Sequence, residues 1–328
     1  MKICLYGAGA IGGLMGVRLA KQGAEVSVVE VGAPLAAIKA NGLKVQSGGE
    51  MYSASVKASS EPAELGVQDL IIVAVKGPTL KFVAQKIGAL VGPDTIIMTA
   101  MNGVPWWFFE GFGGALAGTQ LKSVDPEGSI AKGIPGDRVI GCVINLSCSL
   151  VEIGVVNHIA GNALSIGEPN NTVSDRLKKL GELLTKAGFD VTVTPSIQKE
   201  IWYKLFGNMT HNPVSAITGA TTDVIIDDPL TADFCVKIMT EAGQVGAKIG
   251  CVITDTPEKR NAKTRQMGAF KTSMLQDVEA KKALEIDALL TAPREIAKLV
   301  GVETPYMDVL LGLTRIKGQM MGLYPKSY

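Results

Sequence analysis

Short, mostly apolar runs alternate with amphipathic stretches along the first half of the chain. Helical patterns cover residues 34–40 and 80–90, and short alternating runs over residues 43–58 predict a small hairpin. The runs expected to form buried strands are residues 2–6, 26–29, 70–75, 95–100 and 139–146. Repeated strand–helix–strand units of this kind predict a doubly wound, mostly parallel sheet with right-handed crossovers.

The pattern changes near Pro195. Before it, residues 151–168 alternate as antiparallel strands do, and a helical stretch at 174–187 precedes a last strand at 189–193. After it, strand signals are few, and the helical runs are residues 198–209, 230–249, 257–270, 277–299 and 307–321. We therefore predict an α/β domain over residues 1–195 and an all-helical domain over residues 196–328.

The first thirty residues predict a strand, a glycine turn, a helix and a second strand that ends in an acid. The first glycine permits a tight turn, the second lets a pyrophosphate approach the backbone, and the third lets the helix pack closely. The helix N-terminus offers free N–H groups to phosphates, and the acid can accept hydrogen bonds from ribose hydroxyls. We therefore predict a Rossmann-type dinucleotide-binding domain, rather than a glycine turn without a ligand, with cofactor contacts from Gly7, Gly9, Ala10, Ile11, Gly12 and Glu30.

Two polar residues follow the ends of central strands in this pattern. Lys76 comes directly after the run at 70–75, and Asn102 follows the run at 95–100. Ligands of doubly wound sheets lie at the carboxyl ends of the strands. We therefore expect both side chains to converge with Gly7 and Glu30 on one crevice.

A lysine and two amides are spaced four residues apart in the second half. Each step of four on a helix turns by only about 40°, so Lys204, Asn208 and Asn212 share one face, and Pro213 is expected to end the helix. When a hydride reaches a ketone, an ammonium can stabilise the alkoxide and donate the proton. The amides can bind substrate hydroxyl and carboxylate groups. The alternative is a surface lysine with two ordinary helix amides.

Glu285 is a second acid candidate, in the helical run at 277–299, where it is also explained as a solvated charge on an amphipathic helix. Asp277 is placed to cap that helix. Ser273 lies in the preceding loop, where it either binds a carboxylate or serves as a turn residue.

Composition excludes several functional classes. The chain has 328 residues and a net charge of +1, which gives no general attraction to nucleic acid or to an acidic membrane. No apolar run is long enough to span a bilayer, and no signal peptide is visible. Five scattered cysteines are typical of core thiols in a reducing compartment, so we expect a cytoplasmic protein. His158, His211 and the cysteines lack metal-ligand spacing, and we expect no metal site.

Together these motifs resemble the ketopantoate reductase (2-dehydropantoate 2-reductase) family over nearly the whole chain. The glycine motif is shared with many dehydrogenases, whereas the motifs of the second half are more specific. The resemblance rests on the glycine turn, on Val75-Lys76 and Asn102-Gly103, on Trp202-x-Lys204-Leu205-x-x-Asn208-x-x-x-Asn212-Pro213, and on Ser273-Met274-Leu275-Gln276-Asp277 followed by Glu285-Ile286-Asp287.

The resemblance implies a Rossmann domain and an all-helical domain like the C-terminal domain of 6-phosphogluconate dehydrogenase, with the active site between them. It implies reduction of 2-dehydropantoate to pantoate by NADPH, a step of pantothenate synthesis. The roles it implies are Lys204 as general acid, Asn208, Asn212 and Ser273 as substrate ligands, Asn102 near both nicotinamide and substrate, Lys76 on the cofactor, and Glu285 orienting substrate or cofactor.

One departure from the family pattern concerns the cofactor. Val31 stands where the family usually has an arginine for the 2′-phosphate of NADPH, and Glu30 precedes it. A carboxylate repels a 2′-phosphate but accepts from a free 2′-hydroxyl. We therefore expect NADH to be preferred, although Lys2 or Lys39 could still reach a phosphate.

A second departure is residues 106–135, which are longer and more aromatic than the corresponding family region. They could form a substrate lid or a packing contact with the other domain or a partner subunit, and we favour packing. Thr222 also stands where the family often has a polar amide, so another small 2-oxo acid is an open alternative as substrate.

Two other functions fit the same motifs. A β-hydroxyacid dehydrogenase also combines a Rossmann domain, a helical domain and a lysine, and the Ser273–Asp277 motif argues against it. A dinucleotide-sensing protein without turnover is the alternative of a different class, and Lys204 and Glu285 argue against that. The oligomeric state is open, with a homodimer as one option.

Overall fold

The computed structural model describes residues 1–112 and 114–326. Gly113, within the stretch 106–135, and the last two residues of the predicted helical domain lie outside the described part. The chain divides into two compact units. The first comprises Met1–Met101, Trp107–Phe112 and Glu127–Ile197, and the second comprises Asn102–Trp106, Gly113–Pro126 and Gln198–Tyr328.

The first unit contains one ten-stranded sheet, in the order β4-β3-β9-β8-β7-β6-β1-β2-β5 with β10 on β9. Most neighbouring strands are parallel, and the exceptions are the β3–β4 hairpin and the long β8–β9 pair. The strands are β1 (Lys2–Tyr6), β2 (Glu25–Val29), β3 (Leu43–Ser47), β4 (Glu50–Ala54), β5 (Lys57–Ser59), β6 (Gln68–Val73), β7 (Val91–Ala100), β8 (Val139–Glu152), β9 (Val155–Gly167) and β10 (Asp190–Val193). The predicted doubly wound, mostly parallel sheet is confirmed.

Five helices accompany this sheet: α1 (Ala10–Lys21), α2 (Gly32–Asn41), α3 (Leu80–Lys86), α4 (Ser129–Gly133) and α5 (Asp175–Lys186). Helix α5 shows how the pattern specifies an element. Its leucines at 177, 180 and 184 are buried in the core of this unit, and Ser174 caps its start by accepting from the Leu177 N–H at 3.2 Å.

The second unit contains α6 (Ile197–Thr218) except for its first residue, together with α7 (Thr222–Asp227), α8 (Pro229–Lys248), α9 (Pro257–Arg265), α10 (Ser273–Glu279), α11 (Ala292–Leu299) and α12 (Pro305–Met320). A π-helical turn, Asp287–Thr291, precedes α11. No strand is assigned to the described residues after Val193, as the pattern predicted.

The prediction that Pro213 ends its helix was wrong. Helix α6 continues through the proline to Thr218. Proline removes one backbone donor, so the Met209 carbonyl loses its partner four residues on. Met209 and Val214 are both buried, and the packing of such residues outweighs one lost bond.

The prediction of one helix over residues 277–299 was also wrong. Helix α10 ends before Lys281, whose φ of 52° is left-handed, and the π-turn and α11 follow separately. Asp277 does not cap this helix. Thr272 does, with its side chain accepting from the Leu275 N–H at 3.2 Å, so Ser273 is the first helical residue rather than part of a loop.

The aromatic start of the stretch 106–135 is interior. Trp107, Phe108 and Phe109 are almost fully buried, and the Trp107 indole lies so close to Gly141 that a Cβ there would overlap it. These residues therefore pack inside their own unit, whereas the packing contact with the other domain or a partner subunit stays a prediction.

Candidate functional site

The glycine turn in the first unit has the geometry that its sequence predicts. Gly7 has a φ of 93°, and a Cβ there would meet Val75 at 2.8 Å. A Cβ on Gly12 would overlap the Gly7 carbonyl oxygen, whereas the space around Gly9 is open. Gly9 is the N-cap of α1, so the N–H groups of Ala10, Ile11 and Gly12 form the first turn, without intrahelical acceptors. An anion can approach this backbone closely.

Glu30 lies against this turn. Its Oε2 atom accepts from the Ala8 N–H at 2.9 Å, and its Oε1 atom accepts from the Val31 N–H at 3.1 Å. Each carboxylate oxygen keeps a lone pair for a further donor. Val31 is 62% exposed, and because its side chain is apolar this position offers no cation next to the carboxylate.

Lys76 follows β6 and is half-buried. It is the residue before a short 3-10 turn, Gly77–Thr79, and the adjoining Ala74 and Val75 touch the Gly7 turn. The first unit thus brings together Gly7, Glu30 and the strand end that carries Lys76, as predicted. Asn102 belongs to the second unit.

In the second unit, the Lys204 ammonium donates to Asn102 Oδ1 at 2.7 Å. The two residues are 102 positions apart in sequence, and both are half-buried. The predicted polar face of α6 exists and is partly buried, because Asn208 is half-buried and Asn212 is buried. Two of the candidate site residues predicted from the sequence, the cationic Lys204 and the amide Asn102, are therefore in contact.

Asn212 reaches a further predicted ligand. Its Nδ2 group donates to Ser273 Oγ at 3.3 Å, and Ser273 itself is exposed. Thr222 is used differently, because its hydroxyl faces the backbone carbonyls of Gly268 and Phe270 at 3.3 and 3.4 Å. It supports the loop before α10.

Glu285 lies between α10 and the π-turn and is half-buried, so it is not a fully solvated surface charge. The turn beside it holds the Asn102 segment: the Val104 N–H donates to the Ala288 carbonyl at 2.8 Å. Gly103 has a φ of 79°, and a Cβ there would meet Ala288 at 2.6 Å. The backbone after Asn102 therefore packs directly on the turn that follows Glu285.

A cluster of side chains around Tyr203, the residue before Lys204, was not found from the sequence. The Arg260 guanidinium lies 5.2 Å from the ring centroid of Tyr203, and a Cβ on Gly207 would meet that guanidinium at 2.6 Å. The Tyr203 hydroxyl donates to Asp255, which also pairs with Lys263. A basic run at residues 259–265 was the visible signal, but nothing in it indicated contact with α6.

His211 follows Asn208 on α6 and is buried. Its Nε2 atom is 2.9 Å from Asn261 Oδ1, and burial, partly offset by this hydrogen bond, lowers the pKa of the imidazole. The other histidine, His158, lies in β9 beside Ser47. The two histidines therefore serve separate local contacts.

Within residues 1–112 and 114–326, no three His, Cys, Asp or Glu side chains are grouped as a metal ion would need. In the same part of the chain, no helix combines the length and the apolarity that crossing a bilayer requires. All five cysteines are free thiols.

A glycine-turn sheet unit and a helical unit with a lysine–asparagine pair define the class of two-domain nicotinamide-dinucleotide oxidoreductases. Two family models match, ketopantoate reductase PanE/ApbA over residues 3–171 and its C-terminal domain over residues 196–318. The chain therefore belongs to the ketopantoate reductase family.

Individual relatives agree. A 2-dehydropantoate 2-reductase of Mesorhizobium japonicum is 41% identical, covering 99% of this chain and 100% of its own. A crystal structure from Ralstonia solanacearum MolK2, provisionally assigned as a ketopantoate reductase, is 49% identical with a TM-score of 0.95, over 98% of this chain and 99% of that one. The 2-dehydropantoate 2-reductase of Geobacter metallireducens is 26% identical with a TM-score of 0.84, over 96% and 99%.

Proposed function

We propose that this protein reduces 2-dehydropantoate to pantoate with a reduced nicotinamide dinucleotide. The observation that carries the proposal is the hydrogen bond from Lys204 to Asn102, 2.7 Å long, on a face that also presents Asn208 and Asn212. Membership of the ketopantoate reductase family and the 41% identical reductase support the choice of substrate.

The residues of the first unit fit a dinucleotide. The open space at Gly9 admits a pyrophosphate, and the N–H groups at the start of α1 would donate to it. Glu30 would accept from the adenosine ribose, and Lys76 would contact the cofactor. The cofactor, when bound, supplies the hydride that goes from C4 of the nicotinamide to the ketone carbon.

Lys204 acts as the general acid. As the ketone carbon gains the hydride, its oxygen becomes an alkoxide and takes a proton from the lysine ammonium. Solvent then reprotonates the neutral amine that remains. The Asn102 amide oxygen accepts from that ammonium and so fixes its direction. The positive charge also stabilises the developing oxyanion.

The remaining residues hold the substrate. Asn208 and Asn212 bind its hydroxyl and carboxylate groups, and Ser273, already 3.3 Å from Asn212, completes this set. Glu285 orients substrate or cofactor from its half-buried position before the π-turn.

We further propose that NADH is preferred over NADPH. Glu30 is tied to the glycine turn by two backbone N–H groups, and its neighbour Val31 is apolar and exposed. A 2′-phosphate beside this carboxylate would be repelled, whereas a 2′-hydroxyl can donate to it.

The decisive experiment is a panel of 2-oxo acids against NADH and NADPH, followed by loss of nicotinamide absorbance. We expect 2-dehydropantoate to give the highest kcat/KM, and turnover of a different 2-oxo acid alone would overturn the assignment. In Lys204→Ala, kcat should fall by about 10³-fold while cofactor binding is retained. Lys298→Ala, an exposed lysine of α11, is the matched control and should retain activity.

A homodimer is proposed for the assembly. Helix α12 presents one exposed apolar row, Val309, Leu313, Ile316 and Met320, whose three- and four-residue spacing suits antiparallel pairing with a second copy. Sedimentation should show a dimer that Leu313→Glu dissociates. A monomeric parent protein would remove this proposal.

The five free thiols support a cytoplasmic location.

A further inference from the structure

The π-turn after Glu285 leaves one of its carbonyls without a donor in its own helix. In the turn Asp287–Thr291, the Ala292 N–H donates to the Asp287 carbonyl, five residues back. The next bond of that register would run from residue 293 to the Ala288 carbonyl. Residue 293 is proline, which has no N–H to donate. The Ala288 carbonyl is therefore left without a donor in its own helix.

That carbonyl is used elsewhere. The Val104 N–H donates to it at 2.8 Å, and Gly103 lies against Ala288 with no room for a side chain. Asn102, the residue before this glycine, accepts from the Lys204 ammonium. Because Pro293 has no N–H, the Ala288 carbonyl is available to hold the Val104 N–H, and this contact fixes the segment that carries Asn102.

The first residue of the π-turn is held by the end of the chain. The Tyr324 hydroxyl donates to Asp287 Oδ1 at 2.7 Å, and Thr291 donates to the same oxygen at 3.0 Å. Burial, together with this hydrogen bond, raises the pKa of Tyr324 to about 12, so the phenol stays protonated and remains a donor over any working pH. Tyr324 therefore keeps the proton with which it donates to Asp287.

Tyr324 is itself fixed by backbone contacts. The Leu284 N–H donates to the Leu323 carbonyl at 3.0 Å, and the Leu323 N–H donates to the Gly318 carbonyl at 2.8 Å. A Cβ on Gly318 would meet Tyr324 at 2.8 Å. The segment after α12 is thus docked at Leu284, before the π-turn, and at Asp287, its first residue.

We propose that Tyr324 is a positioning residue for the reaction. By donating to Asp287, its hydroxyl holds the π-turn in place, so that the Ala288 carbonyl can accept from the Val104 N–H. This contact in turn keeps Asn102 within hydrogen-bond distance of Lys204. This inference rests on the proposed function, because its effect on rate depends on Lys204 acting as the acid. Its structural core, the link from Tyr324 to the Val104 N–H, can be tested without turnover.

The first test compares Tyr324→Phe with Tyr306→Phe, which removes the same hydroxyl from another tyrosine of the second unit, on α12. We expect Tyr324→Phe to lower kcat by about tenfold with cofactor KM unchanged, since small misplacements in a catalytic set reduce the chemical step strongly. In an Asn102→Ala background the same change should have almost no further effect, because the two residues act in series. An equal loss in both backgrounds, or no loss at all, would overturn the proposal.

The second test needs no activity. Hydrogen exchange of the Val104 amide should be faster in Tyr324→Phe than in the parent protein and unchanged in Tyr306→Phe. Pro293→Ala should also speed exchange of the Val104 amide, because the new N–H of residue 293 competes for the Ala288 carbonyl and alanine favours a continuous helix. Unchanged exchange in Tyr324→Phe would overturn the inference. A parent enzyme that fails to reduce 2-dehydropantoate, with the exchange result intact, would instead overturn the proposed function.

Discussion

The glycine turn of the first unit and the lysine face of the second are built in opposite ways. The turn is local: Gly7, Gly9, Gly12 and Glu30 come from one continuous stretch, and their contacts are with each other and the adjoining strand end. The lysine face is assembled from distant segments, because Lys204 meets Asn102 and Asn212 meets Ser273. Local geometry follows from residue type and spacing, whereas assembled geometry depends on how separate elements pack.

The two regions also use glycine for different purposes. Gly12 removes a side chain so that α1 can approach the turn before it, a contact within one motif. Gly103 removes a side chain so that a segment can lie on a turn 185 positions later, next to Ala288. A substitution in the first region should therefore impair cofactor binding, and one in the second should impair the chemical step.

The largest effect is expected from Gly12→Ala compared with Gly9→Ala. The added Cβ of Gly12→Ala overlaps the Gly7 carbonyl oxygen. We therefore expect the free energy of unfolding to fall by about 3 kcal/mol, and cofactor binding to be lost as well. Gly9→Ala meets nothing in the protein and should keep its stability while weakening cofactor binding. Thermal unfolding measures the stability of the two variants, and cofactor titration measures their affinity. Equal stability of the two variants would contradict the packing argument.

Gly103→Ala should break the assembled region and spare the local one. Its Cβ would meet Ala288 at 2.6 Å, and we expect kcat to fall by about 10²-fold with cofactor affinity retained, because Asn102 is displaced. The matched control is Gly219→Ala, which has a similar φ of 77° but open space around it. Steady-state kinetics should show loss in the first variant alone. Equal losses would mean that backbone strain, not contact, is responsible.

The contrast explains which predictions succeeded. The sheet, the glycine turn and the shared face of Lys204, Asn208 and Asn212 follow from periodicity and residue type, and all are present. The errors fall where tertiary packing decides: α6 passes through Pro213, and the run at 277–299 is divided by a left-handed Lys281 and a π-turn. No local pattern specified that Pro293 would free a carbonyl for Val104.

A smaller effect is expected from restoring a cation at the cofactor end. Val31→Arg places a guanidinium beside the position where a 2′-phosphate would lie, and we expect the ratio of kcat/KM for NADPH to that for NADH to rise about tenfold. Val31→Gln, which is polar but uncharged, is the control. If the parent protein already favours NADPH strongly, the role given to Glu30 is wrong. The change should leave kcat with saturating NADH unaltered, because it does not touch the lysine face.

The smallest effect concerns the pH dependence of stability at the lysine face. Because burial lowers the pKa of His211, the unfolded chain binds a proton at a higher pH than the folded protein does. The contribution of the neutral imidazole is therefore complete above the ordinary value of about 6.5 and is lost as the pH falls towards the lowered folded value. His211→Gln keeps a donor towards Asn261 but does not titrate, so its free energy of unfolding should fall less between about pH 6.5 and 5 than that of the parent, by about 1 kcal/mol or less. Denaturant titrations across this range measure the difference, and parallel curves would show that His211 accepts its proton as readily in the folded protein as in the unfolded chain.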